Sequence, residues 1–192
     1  MKKVPQRDLL LYNRSMKKGG ERMTKEKLTM GAQKRIALVA HDHLKDDLVK
    51  WCLKNETVLK RHFLCGTGTT ARLIADATGL PVEALKSGPL GGDQQVGARI
   101  AEGDIDMLIF FSDPLEAQPH DPDIKALLRI AAVYDIPFAN NRATADFIMH
   151  SRFMNEEYTH ELLDYRQMTM KRVQVIGEEM NGLEMDEQIS GR

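Results

Sequence analysis

The sequence predicts an α/β protein: a three-layer, doubly wound sheet, mainly parallel, with helices on both faces. Three observations predict it. Short, continuously apolar runs recur, among them RIALVA (Arg35–Ala40) and IDMLIFF (105–111), as in strands buried on both faces. Between them lie stretches with apolar residues at helical spacing. The two kinds of segment alternate along the chain, the order in which β-α-β units build one parallel sheet.

The elements follow in order. Arg35–Ala40 is the first strand. Residues 44–53 place Leu44, Leu48, Trp51 and Cys52 on one helical face. Residues 62–65 form a second strand, followed by Gly66-Thr67-Gly68 and a helix over 71–77. Gly79-Leu80-Pro81 stops that helix, and a shorter one is expected over 82–85. Val96, Ile100 and Ala101 mark another helix, ended by Gly103. Residues 105–111 are the clearest strand. A helix over 124–133 turns Leu127, Leu128 and Ala131 inward, 136–139 is a strand, and 144–149 a helix.

The folded, catalytic domain is expected over residues 34–173. Residues 1–33 carry nine Lys/Arg against three Asp/Glu, with a Gly19-Gly20 pair and little periodicity. They read as a disordered basic leader, or as sequence before an internal start at Met16, Met23 or Met30. An arm for an anionic partner is the alternative, but the stretch is poor in aromatics and not densely basic. Residues 174–192 are acidic and read as a mobile tail.

Composition narrows the function classes. At 42% hydrophobic and 29% charged, the 192 residues suit one buried core, and a net charge of −1 gives no electrostatic footprint for nucleic acid. No apolar run approaches the roughly 20 residues of a membrane span, and the N-terminus lacks the apolar stretch of a secretory signal. A cytoplasmic location is expected. Cys52 and Cys65 lie in apolar stretches without ligand spacing and read as core thiols of a reducing compartment.

In open parallel sheets, ligands sit beyond the carboxyl ends of the strands. The segments leaving those ends are His41-Asp42-His43, GTGTT (66–70), Ser112-Asp113-Pro114 and Asn140-Asn141, all polar, small or ionisable. In GTGTT the glycines let backbone N–H groups approach an anion at a helix N-terminus, and three threonine hydroxyls add donors; alternatively it is a Thr-capped turn that binds nothing. GTGTTA also fits a dinucleotide pattern, but it follows the second strand, and no acidic residue ends a later strand to hold a ribose. HDH (41–43) and HDPD (120–123) have the residue types of metal ligands. A metal-dependent barrel hydrolase is excluded by size, since a barrel needs about 250 residues; a metal site in this smaller fold is one alternative, and otherwise these histidines are hydrogen-bonding groups in a polar cleft, or His43 caps the next helix. Lys45 follows His41 by four residues, and either turns toward an anion or is solvated. In GGDQQ (91–95), Gly91-Gly92 reads as a turn and Asp93 as a helix N-cap. As an acid–base group, Asp93 faces a tension, because a helix N-terminus favours the carboxylate while burial favours the acid. Asp113, Asp121 and Asp123 could each be caps, yet together they exceed what capping requires.

Taken together, IALVAHDH (36–43), TGTT (67–70), SGPLGGDQQVGA (87–98), IFFSDPL (109–115), PHDPDIKALLR (119–129) and ATADFI (143–148) resemble the methylglyoxal synthase family in order and spacing. The resemblance spans nearly all of the expected folded region and leaves out the first 33 residues and the acidic tail. It implies a lyase that converts dihydroxyacetone phosphate to methylglyoxal and inorganic phosphate, with no metal or organic cofactor. Carried over by motif position, Asp93 is similar to the catalytic base and His120 to the group that polarises the carbonyl. Asp113 and Asp123 match supporting acidic positions. His41, Lys45, Thr67, Gly68, Thr69, Thr70, Ser87 and Gly88 match substrate and phosphate contacts. Asp42 is similar to a further site carboxylate, and Arg172 to a C-terminal arginine that reaches a neighbouring subunit. The resemblance also implies a homohexamer and phosphate as a possible inhibitor. The fold is similar to regulatory domains of carbamoyl-phosphate synthetase, so the alternative is a noncatalytic domain that senses a phosphorylated metabolite. GGDQQ and PHDPD together favour the lyase.

Overall fold

The computed structural model describes residues 25–115, 121–164, 169–170, 172–174 and 176. The chain divides into two compact units, Lys27–His160 and a smaller one made of Met1–Glu26 with Glu161–Arg192. In the smaller unit, the Lys25 ammonium meets the Glu161 carboxylate at 2.7 Å, with both side chains about half exposed.

The larger unit is built on five parallel strands: β2 (Arg35–Ala40), β3 (Phe63–Gly66), β4 (Val82–Ala84), β5 (Met107–Phe111) and β6 (Phe138–Ala139), in the order β4-β3-β2-β5-β6. Ile36 is in register with Leu64 on one side and Met107 on the other. The alternation of side chains along a strand makes two cores. Ile36, Leu38, Met107, Ile109 and Phe111 face one layer with Leu48, Trp51 and Ile74. Ala37, Val39, Leu108 and Phe110 face the other with Val96, Ile100 and Leu127. The first layer is α1 (Lys45–Lys54), the single turn α2 (Glu56–Leu59), α3 (Gly68–Thr78) and α6 (Arg142–Met149); the second is α4 (Gly92–Ala101) and α5 (Asp121–Val133). The three-layer, mainly parallel sheet expected from the alternating pattern is therefore observed.

Three local expectations are corrected. Residues 82–85 are not a short helix: Val82, Glu83 and Ala84 pair with Leu64, Cys65 and Gly66, and the Leu85 N–H continues the ladder to the Gly66 carbonyl at 2.9 Å. Edge pairing supplies the backbone hydrogen bonds that one isolated turn of helix lacks. Part of the stretch expected to be a disordered leader is ordered, because Lys25–Met30 forms strand β1 and Met30 is buried. It pairs with β7 (Tyr158–Leu163), where Thr29 and Thr159 share a hydroxyl hydrogen bond at 2.8 Å; residues 1–24 lie outside the described residues. Finally, Asp93 is not the N-cap of its helix. Gly91, at φ 94°, takes that place.

Cys52 and Cys65 are buried, and burial pushes their thiols up to about 12 and about 11. Among the described residues no helix is long and apolar enough to cross a membrane.

A buried histidine makes the larger unit pH-sensitive. His62 is 6% exposed. Its Nδ1 accepts the Lys34 N–H at 3.1 Å, and its Nε2 has no hydrogen-bond partner among the described residues. Burial first, then the charges of Lys34 and Arg61, holds its pKa below the ordinary 6.5. Folding therefore favours the neutral ring. Its contribution is complete above pH 6.5 and is lost as the pH falls below that value, because the unfolded chain takes up the proton first. The stability of the wild type should fall between pH 7 and pH 5 more steeply than that of His62→Gln, by at most about 1.4 kcal/mol per pH unit. Urea titrations at several pH values check this, and parallel profiles would remove the assignment.

Candidate active site

The carboxyl ends of β2 and β3 and the start of α4 enclose a cavity of about 360 Å³, lined by Val39, Ala40, His41, Asp42, Lys45, Thr67, Thr69, Thr70, Ser87, Gly88, Pro89, Asp93 and Phe110. That volume suits a small ligand. It is also where the switch-point rule for parallel sheets puts one, since β2 lies between β3 and β5.

β2 delivers the first group. The His41 N–H continues the sheet to the Phe111 carbonyl at 3.1 Å, and its buried ring meets Phe110 edge-on at 5.0 Å. Nδ1 accepts the Asp113 N–H at 2.9 Å, so the neutral ring carries its proton on Nε2. The chain then makes a 3-10 turn over Asp42–Leu44, and the N-cap of α1 is Leu44, not the exposed His43. Asp42 and Lys45 are ion-paired across this turn, with the Asp42 side chain 84% exposed and that of Lys45 18%. The Lys45 hydrogen bond, then its charge, holds the Asp42 carboxyl below the usual carboxylate range.

β3 delivers the threonines. Thr67 occupies the N-cap of α3 but makes no side-chain capping bond, so the reading of GTGTT as a Thr-capped turn does not describe it. The Thr70 hydroxyl is 1% exposed and has no hydrogen-bond partner among the described residues. A buried hydroxyl left in that state is costly unless something arrives to meet it. Gly68 packs on the neighbouring loop: its N–H donates to the Lys86 carbonyl at 3.1 Å, and a Cβ there would lie 3.1 Å from the Ser87 nitrogen.

That loop carries Ser87 and Gly88. Ser87 is the N-cap of a 3-10 turn over Gly88–Leu90, again without a side-chain capping bond. Gly91 and Gly92 then reverse the chain into α4 for different reasons. Gly91 needs its left-handed φ, whereas Gly92 needs to have no side chain, because a Cβ would sit 2.1 Å from the Lys86 carbonyl oxygen. The Gly92 N–H donates to the Ser87 carbonyl at 2.9 Å. This approach starts the helix two residues earlier than an Asp93 cap would and puts Asp93 in its first turn, 4% exposed, on the cavity wall.

The sequence model of the MGS-like domain family matches residues 47–140. The methylglyoxal synthase of Clostridium acetobutylicum is 58% identical over 142 residues, covering 74% of this chain and 98% of that protein. The chain belongs to the methylglyoxal synthase family. The methylglyoxal synthase of Erwinia tasmaniensis is 57% identical over 145 residues, covering 76% of this chain and 95% of that protein. A crystal structure of methylglyoxal synthase from Elizabethkingia anophelis NUHP1 shares the fold with a TM-score of 0.70 at 53% identity, covering 73% of this chain and 92% of that chain.

In this member of the methylglyoxal synthase family, the expected site residues divide into three groups. His41, Asp42, Lys45, Thr67, Thr69, Thr70, Ser87, Gly88 and Asp93 share the cavity wall. Gly68, Asp113 and Asp123 do not line it: Gly68 supports the loop, and the Asp113 N–H orients His41 while its carboxylate accepts the Leu115 N–H at 2.9 Å. Asp123 lies partly exposed in the first turn of α5. His120 falls outside the described residues, and Arg172 lies on an exposed helical stretch of the smaller unit. Asn140-Asn141, a polar strand end, serves α6 instead, with Asn141 capping it by accepting the Thr144 N–H at 2.9 Å. Among the described residues no group of three or more His, Cys, Asp or Glu is placed to hold a metal ion. Sequence reasoning missed Val39, Ala40, Pro89 and Phe110 in the lining. Phe110 was recoverable, because alternate residues of β5 had to face opposite sides of the sheet.

Proposed function

We propose that the chain eliminates phosphate from dihydroxyacetone phosphate to give methylglyoxal, with no metal or organic cofactor. One observation carries the reading: Asp93, a buried carboxylate, shares a small cavity with an ammonium and several hydroxyls, among them that of Thr70, which has no hydrogen-bond partner among the described residues. The basic and hydroxyl donors suit a phosphate dianion, and the carboxylate suits a proton beside a carbonyl.

In this mechanism Lys45, Thr67, Thr69, Thr70, Ser87 and the backbone at Gly68 and Gly88 bind the phosphoryl group. Asp93 removes a proton from the hydroxymethyl carbon, and an enediolate forms. Its oxygen charge is met by fixed donors: His120 in the reading by family resemblance, assisted by His41 through the proton on Nε2. Asp113 acts through its N–H to hold His41 in that tautomer, and Asp123 supports His120. The bond from carbon to the bridging phosphate oxygen then breaks as the neighbouring hydroxyl becomes an aldehyde and its proton passes to the departing phosphate, which Lys45 and the loop donors stabilise; the resulting enolate takes up at its terminal carbon the proton held by Asp93 and becomes methylglyoxal. The substrate must be held with that bond roughly perpendicular to the enediolate plane, so that elimination follows. The same reading makes the chain a cytoplasmic homo-oligomer, hexameric by resemblance, in which Arg172 reaches a neighbouring subunit's site and phosphate is both product and inhibitor.

Incubation of the purified chain with dihydroxyacetone phosphate tests it. Equal amounts of methylglyoxal and phosphate should appear, at a rate that a metal chelator leaves unchanged. A chain that binds phosphate and forms no methylglyoxal above background is a sensing domain, and the lyase reading falls.

A further inference from the structure

Gln95 lies in the motif GGDQQ but has no place in the mechanism above. It does not line the cavity. Its side-chain carbonyl oxygen accepts the Lys86 N–H at 2.8 Å. The Lys86 peptide is thereby held from two directions, because its own carbonyl accepts the Gly68 N–H at 3.1 Å. Through this one residue, α4, which carries Asp93, is referenced to α3, which carries the threonines.

The helix is tied to the loop at two points. One is the Gly92 N–H on the Ser87 carbonyl, at 2.9 Å; the other is Gln95 on Lys86. The body of α4 is fixed by Val96 and Ile100 in the core and by the Arg99–Glu83 ion pair, all beyond its first turn. Two bonds, from residues on either side of Asp93 in the chain, fix the rotation of the first turn and with it the direction of the carboxylate. The phosphate-binding loops are joined to each other without Gln95, by Gly68 and Lys86.

We infer that Gln95 is a positioning residue for the proton transfer: it sets the aim of Asp93 relative to the phosphate cradle and does not build the cradle. The inference rests on the lyase reading above. Proton transfer is sensitive to small displacements of the base, whereas binding of the phosphoryl group depends on donors that Gln95 does not hold.

The test compares wild type, Gln95→Leu and Gln95→Glu for kcat and KM with dihydroxyacetone phosphate, and for the Kd of inorganic phosphate by calorimetry. Gln95→Leu is expected to lower kcat about tenfold while Kd for phosphate stays within about twofold. Gln95→Glu retains an acceptor for the Lys86 N–H and should recover most of kcat. A kcat for Gln95→Leu within twofold of wild type overturns the inference. So does a parallel loss of kcat and phosphate binding, or a failure of Gln95→Glu to recover activity in a protein that still binds phosphate. A wild type that binds phosphate but makes no methylglyoxal instead sinks the lyase reading itself.

Discussion

Asp93→Asn is expected to lose roughly 10²–10⁴-fold in turnover of dihydroxyacetone phosphate, the range that removal of a positioned general base costs. The amide has the shape of the carboxylate and fits the same buried space, but it does not take up a proton at working pH. Phosphate binding should survive, because in the proposed mechanism the donors are Lys45, the threonines and the Ser87 loop, which line the cavity. The sign goes further: a carboxylate in the same cavity repels a phosphate dianion, so the variant should bind inorganic phosphate as tightly as the wild type or more tightly. Steady-state kinetics and calorimetry on the same preparation check both halves. Near-normal kcat removes Asp93 as the base, and lost phosphate binding in a folded protein assigns it to the cradle.

Gly92→Ala is expected to be the most damaging single methyl group near the cavity. Its Cβ would meet the Lys86 carbonyl oxygen at 2.1 Å and the carbonyl carbons of Lys86 and Ser87 at 2.9 Å. All three are backbone atoms, so relief requires moving the Ser87 loop away from α4. A destabilisation of about 3 kcal/mol is expected, the upper end for overpacking, with kcat/KM down at least about 100-fold as the loop and Asp93 separate. Gly91→Ala provides the contrast. Its nearest neighbour is the flexible Gln94 side chain at 3.6 Å, and it faces only the strain of a left-handed residue, roughly 1–2 kcal/mol. Urea unfolding and kinetics on both variants measure the difference. A Gly92→Ala protein as stable and active as Gly91→Ala would show that the loop is not clamped as described.

How much of this was legible in the sequence depends on how local each cause is. The central strands were clear, since RIALVA and MLIFF are buried on both faces and need no context. Edge elements were not. β1 has the pattern of five exposed residues and one buried one, so it carries no apolar signal and exists because β7 pairs with it. β4 is three residues long and was read as a helical turn, because only β3 beside it makes a strand worthwhile. At the site, residue types pointed to the correct loops, and the strand-end rule brought His41 and the threonines together, while Ser87 came from the family resemblance. The role of Asp93 as a cap was the natural local reading and was wrong, because the helix start is decided by contact with backbone at Lys86 and Ser87. The residues are near in sequence, but residue types alone do not show that the chain folds back so that Gly92 meets this backbone.

Four helical segments begin on the cavity wall, after His41, Thr67, Ser87 and Gly91, and none is closed by a side chain of its own. Asn141 and Ser151, which line no part of the cavity, do close theirs, although Asn55 at the start of α2 does not. Finishing a helix end is ordinarily a matter of internal architecture. Around the cavity an anion bound there would supply that completion. Binding and stiffening of the cavity wall would then be one equilibrium, and inorganic phosphate is expected to raise the melting temperature of the chain.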